Sequence, residues 1–111
     1  MGIFSKLMGV NTISAEEAHK RMEAGGKFVL LDVRSPGEYQ QIRIKGAKLI
    51  PVDEISGRAP SELPDKSTPI LVYCHSGARA GSAARTLGQM GYTDVVSFGG
   101  IISWPYETIS G

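Results

Sequence analysis

The 111-residue chain has a single cysteine, Cys74, which excludes an internal disulfide and a multi-cysteine metal site. It has no apolar run long enough to span a membrane. Its start, Met1-Gly2-Ile3-Phe4-Ser5-Lys6-Leu7-Met8, lacks the long apolar region and cleavage site of a signal peptide. Lys6 stands where a myristoylation signal needs Ser or Thr. Net charge is only +1, so the basic field of a nucleic-acid binder is missing. Repeats and low-complexity segments are absent too. These absences leave an intracellular protein, read as cytoplasmic, with no membrane or nucleic-acid partner. A reducing compartment keeps its one thiol available. Nothing points to an obligate oligomer, and a monomer is expected. Residues 1–10 read as a frayed tail rather than an amphipathic tag, ahead of a single domain over 11–111. Hydrophobic residues, at 41%, suffice for a globular core.

What is present alternates between strand and helix signals. Ser14 with Glu17 three residues on predicts a capping box, and a helix follows over 15–24 until Gly25-Gly26 stops it. Its buried stripe is Ala15, Ala18 and Met22, which leaves His19 on a solvated face. Residues 27–33 read as a strand, and the unbroken apolar run Phe28-Val29-Leu30-Leu31 within it suggests a parallel strand buried on both faces. Ser35-Pro36-Gly37-Glu38 is a second helix start, with Ser at the cap, Pro at the first position and Glu at the third. That helix is short, ending near Gln41. A short strand over 47–50 closes at Pro51, one helical turn fits 53–57, and 59–69, with three prolines, reads as loop. A strand over 69–73, the best helix of the chain over 78–90, a last strand over 95–98, a Gly99-Gly100 turn and a short helix over 101–104 complete the pattern. Such alternation predicts an α/β fold with a mainly parallel sheet and helices on both faces. Sites in such sheets lie at the carboxyl ends of the strands, where Cys74 and Asp32-Val33-Arg34 fall.

The stretch Tyr73-Cys74-His75-Ser76-Gly77-Ala78-Arg79-Ala80 carries the chemistry. Cys74 sits where a buried strand hands over to a helix. A loop of successive N–H groups feeding a helix start cradles anions and favours a thiolate. Gly77 lets the backbone turn, and Arg79 adds a cation close by in sequence. Strand position alone also fits a buried structural cysteine, a common fate of free cysteines.

Four blocks resemble the rhodanese family in order. They are Leu31-Asp32-Val33-Arg34-Ser35-Pro36-Gly37-Glu38-Tyr39, then Lys45-Gly46-Ala47-Lys48-Leu49-Ile50-Pro51, then the cysteine loop, then Gly99-Gly100-Ile101-Ile102-Ser103-Trp104. The resemblance implies a rhodanese-like fold around a five-stranded, mainly parallel sheet, without the tandem inactive domain of larger members. It implies a sulfurtransferase in which Cys74 takes the sulfane sulfur of thiosulfate, polysulfide or another persulfide donor. The sulfur then passes to cyanide, a thiol or an accepting protein. The backbone of His75, Ser76, Gly77, Ala78, Arg79 and Ala80 would cradle the anion, with Asp32, Arg34 and Glu38 in support. No metal or organic cofactor is implied, because sulfur itself makes the covalent bond. A persulfide carrier serving one partner is the alternative.

Related phosphatases and arsenate reductases of this fold have a cysteine loop one residue longer, so the four residues between Cys74 and Arg79 favour a sulfur substrate. Arg79 is open to anion binding or to pairing with Asp32 or Glu38; a mixed role that includes pairing is expected. Asp32 and Arg34 are expected to brace the loop rather than move protons. A Cys74–His75 dyad is discounted because adjacent loop side chains diverge, and Tyr73 and Trp104 are expected to pack. Ile42-Arg43-Ile44 replaces the family's usual Gly-His-Ile, and Arg43 is expected either at the entrance or solvated. The chain ends soon after Trp104, without the longer closing segment of some members.

Overall fold

The computed structural model describes residues 11–111. The proposed tail over 1–10 lies outside the described residues. The elements are β1 (Asn11–Thr12), α1 (Ala15–Glu23), β2 (Val29–Asp32), α2 (Pro36–Gln41), β3 (Arg43–Ile44), β4 (Lys48–Leu49), α3 (Ile55–Glu62, entered through a 3-10 turn at Val52–Glu54), β5 (Ile70–Cys74), α4 (Ala78–Gln89), β6 (Val95–Gly100) and β7 (Thr108–Ile109), with a 3-10 turn at Ile101–Ser103 before β7. The main sheet has five strands in the order β1-β6-β5-β2-β4, and each pairing in it is parallel. This is the α/β architecture the sequence predicts. β3 and β7 form a separate antiparallel pair.

The apolar runs of β2 and β5 are continuous because helices cover both sides of the sheet. Alternate residues divide between two cores. Leu31, Val33, Ile70, Val72 and Cys74 face α3 and α4, which contribute Ile55, Ala59, Ala80, Ala83, Ala84 and Leu87. Leu30, Leu71, Tyr73, Val96 and Phe98 face Ala18 of α1 and Trp104. Each fully buried Val, Leu or Ile contributes about 1.5–3 kcal/mol. The alanines of α4 let that helix lie close against β5, so the helix start meets the end of the strand.

Several expectations change. The loop expected over 59–69 begins later, because α3 continues through Pro60 to Glu62. Proline there forfeits one N–H, but Ser56 and Pro60 are exposed, so the freed carbonyl meets water. Arg58 meanwhile bonds Glu54 at 2.9 Å and Glu62 at 2.6 Å across adjacent turns. β6 continues through the expected Gly99-Gly100 turn. β1, β3 and β7, two residues each, carry too little periodicity to be read. At α1 only half the capping box forms: Ser14 accepts from the Glu17 N–H at 3.0 Å, while the Glu17 carboxylate takes Arg21 at 3.1 Å. His19 is not free on the surface. It is half-buried, stacked on Tyr106 with ring centroids 3.8 Å apart.

Candidate active site

Cys74 is the last residue of β5 and is 1% exposed. The chain leaves it through His75 and Ser76, whose side chains are exposed. Gly77 then takes φ +122°, a conformation that strains any side chain, and α4 begins at Ala78. That turn aims the Gly77 N–H back at the Cys74 Sγ, 2.9 Å away. The thiol therefore faces a backbone donor at the positive end of a 12-residue helix. Among the described residues no hydrogen bond joins His75 to Cys74.

The outer side of the loop rests on β6. Val72 pairs with Ser97 but Cys74 pairs with Gly100, so β6 carries one extra residue between those rungs. Gly99, at φ +86°, absorbs that bulge. Gly100 is thereby brought against the loop, where a Cβ would run into the His75 carbonyl and the Ser76 nitrogen. Just beyond it, the Ile102 N–H donates to the His75 carbonyl at 3.2 Å. Sequence reasoning missed this support, because a Gly-Gly pair reads first as a turn; the signal was two glycines directly after a buried strand.

The inner side is made of charged side chains. Arg34 donates from Nε and Nη2 to the Asp32 carboxylate at 2.7–3.1 Å, and its own N–H donates to Asp32 Oδ1 at 2.9 Å. Asp32 is 0% and Arg34 2% exposed. Burial works to lower the Arg34 pKa, yet the bonds to and charge of Asp32 outweigh it and leave the pKa raised. Arg34 also donates to the Ile42 carbonyl, and the Tyr73 hydroxyl accepts the Ile44 N–H at 3.1 Å. Burial first, then Asp32, pushes the Tyr73 phenol upward. Together these groups tie the ends of β2 and β5 to residues 42–44.

Arg43 is half-buried and held by its neighbours rather than fully solvated. It lies over the Tyr39 ring, 4.9 Å from the centroid, and donates to the carbonyls of Tyr39 at 3.2 Å and Gly111 at 3.4 Å. It is drawn there because β3 pairs with β7.

Arg79 is on the first turn of α4. Its guanidinium grips Glu38 through two bonds, 2.7 and 3.0 Å. The same carboxylate accepts from the N–H and hydroxyl of Ser35, both at 3.0 Å, while Ser35 Oγ accepts the Glu38 N–H, which completes the box predicted for α2. The Arg79 bond, with help from Ser35 and against partial desolvation, lowers the Glu38 pKa to about 2. Glu38 in turn raises that of Arg79, and the charge of Cys74 adds to the shift. Beside this pair opens a cleft of about 250 Å³, lined among others by Val33, Pro36, Pro51, Asp53 and Arg79. Another cavity, of about 230 Å³ between His19, Phe28, Trp104 and Tyr106, involves none of the sequence-predicted site residues. Tyr73 and Trp104 are buried, as expected.

The candidates thus fall into two groups. Cys74 and the backbone of residues 75–80 form the loop itself. Asp32, Arg34, Glu38 and Arg79 pair with one another along its edge. Among the described residues no group of three or more His, Cys, Asp or Glu side chains stands close enough to hold a metal ion, and no helix is long and apolar enough to cross a membrane.

A buried thiol ending a parallel strand and facing the first turn of the next helix defines an α/β protein built around a cysteine loop. Residues 14–105 match the rhodanese-like domain, and the chain belongs to that family. It is 42% identical over 71 residues to the thiosulfate sulfurtransferase PspE of Escherichia coli, covering 64% of this chain and 68% of PspE. It is 38% identical over 96 residues to a sulfurtransferase of Allochromatium vinosum, covering 86% of this chain and 88% of that protein. It also matches a longer protein, the putative sulfur carrier YrkF of Bacillus subtilis, at 34% identity over 86% of this chain but only 51% of YrkF. Among solved structures, the Alr3790 protein of Anabaena superposes with a TM-score of 0.81 at 29% identity, over 88% of this chain and 91% of that one. A rhodanese from E. coli with bound anions superposes at 0.70 with 37% identity, over 75% of this chain and 98% of that one.

Proposed function

We propose that this protein is a sulfurtransferase that carries a sulfane sulfur as a persulfide on Cys74. The observation that carries the proposal is the Gly77 N–H aimed at Cys74 Sγ from 2.9 Å at the start of α4. A negatively charged sulfur is what such a donor and helix end stabilise. The thiolate attacks the outer sulfur of the donor. A new S–S bond forms to Cys74 while the donor's S–S bond breaks. The departing group keeps the electron pair, leaving as sulfite from thiosulfate or as a thiolate from an alkyl persulfide. In the second half the acceptor, cyanide or a thiolate, attacks the outer sulfur of the Cys74 persulfide. Thiocyanate or a new persulfide leaves, and Cys74 regains its electron pair. On the protein the charge stays on sulfur, moving from Sγ to the outer sulfur and back, so the N–H groups over 75–80 serve both half-reactions. The named activities of PspE and the Allochromatium protein support this reading.

Transfer from thiosulfate to cyanide, measured on wild type and Cys74→Ser, tests it. Loss of turnover in the variant is expected, and equal rates would sink the proposal. The likeness to YrkF supports a second reading, a carrier that hands sulfur to a partner protein. Slow turnover with cyanide, together with fast release of sulfur to one protein acceptor, would favour the carrier.

A further inference from the structure

Thiosulfate carries two negative charges and an alkyl persulfide carries one on its reacting sulfurs. A site attacking with a thiolate therefore needs more positive charge for the first than for the second. The cleft beside the Glu38–Arg79 pair is lined by Arg34 and Arg79. Both are already taken, Arg34 by buried Asp32 and Arg79 by two bonds to Glu38. Asp53 lines the same cleft, as does Glu54, itself paired with Arg58. Its arginines are matched by carboxylates, and the recognition that remains is that of the backbone loop.

We propose that Glu38 is a specificity-setting positioning residue, which by holding Arg79 tunes the site toward the singly charged persulfide of a small thiol and away from dianionic thiosulfate. The inference rests on the persulfide reading of Cys74. Glu38 is suited to the task because it is fixed twice, by Ser35 at the head of α2 and by Arg79 at the head of α4. Arg79 in turn lies in the first turn of α4, where the cysteine loop ends.

Glu38→Gln separates the two jobs of this carboxylate. Glutamine keeps a capping box, so α2 retains its start, but it no longer neutralises Arg79. The rate of persulfide formation on Cys74 is measured by rapid-quench intact mass with thiosulfate and with cysteine persulfide. Wild type should favour cysteine persulfide by about tenfold or more in kcat/KM. Glu38→Gln should raise kcat/KM for thiosulfate about tenfold, mainly through KM, with the gain fading as salt rises. It should move the cysteine persulfide value by less than about twofold. The double variant Glu38→Gln, Arg79→Gln should lose the gain. An unchanged or lower thiosulfate value, or an equal rise for both donors, would overturn the inference.

A salt series on wild type needs no variant to fold. With Arg79 neutralised, kcat/KM for thiosulfate should fall less than about twofold between 20 and 200 mM salt, roughly the range over which a free cation is screened. A steep fall would mean that a cation is free to bind the donor, and would count against the role of Glu38. Failure of every donor to load wild type is a different outcome: it overturns the persulfide reading, and this inference with it.

Discussion

On the β6 side of Cys74 the loop is held by backbone alone. Gly99 makes the bulge, Gly100 leaves room for the His75 carbonyl, and the Ile102 N–H bonds that carbonyl. On the β2 side the work is done by charged side chains, Asp32 with Arg34 and Glu38 with Arg79. The two supports fail differently. A missing Cβ has no substitute, because any side chain at Gly100 displaces the loop itself. An ion pair can be weakened by degrees, through pH, salt or a neutral isostere. The backbone support should therefore control activity steeply, and the charged support should control stability and donor preference.

The largest expected effect breaks the charged side. Asp32→Ala leaves Arg34 buried without its partner and should cost about 3–5 kcal/mol in urea unfolding. A loss under about 1 kcal/mol would mean that the pair is not buried in solution. Next comes the backbone side. Gly100→Ala should cut sulfur transfer about a hundredfold, which is about 2.7 kcal/mol of barrier, with a stability loss of only about 1–3 kcal/mol. Transfer within threefold of wild type, roughly a change of side-chain packing alone, would show that β6 does not set the loop. Gly99→Ala should be milder, costing about 1–2 kcal/mol for an alanine held at positive φ.

The smallest effect concerns pH. The Glu38 pKa is lowered from 4.5 to about 2 in the folded protein. Its contribution to stability is complete above the unfolded value and is lost as pH falls toward the folded one. Glu38 is 33% and Arg79 37% exposed, so screening limits the pair to about 1 kcal/mol. Denaturant titrations of wild type and Glu38→Gln should converge by about that amount as pH drops from 4.5 to 2. Parallel curves over that window would remove Glu38 from the account.

Long signals survived the passage from sequence to structure. The apolar runs of β2 and β5 and the Ser35-Pro36 start of α2 each express one strong local preference. Two-residue strands such as β3 and β7 have no such signal, since their pairing joins residues 43–44 to 108–109. Pro60 and Gly99-Gly100 look like breaks locally, but α3 tolerates the first at its exposed face and β6 uses the second as a bulge. At the site, the cysteine, its glycine turn and the pairing options of Arg79 could be read from residue types. The role of Gly100 could not, because it depends on which strand lies beside β5. Nor could the positions of His19 and Arg43, which are fixed by Tyr106 and by the carbonyl of Gly111.

The central claim is that Cys74 itself carries the transferred sulfur. Intact mass spectrometry after brief exposure to thiosulfate or cysteine persulfide tests it directly. A gain of one sulfur atom is expected, mapped to the peptide containing Cys74, absent from Cys74→Ser and removed by cyanide. An unmodified Cys74 after every donor, or a gain that persists in Cys74→Ser, would contradict it.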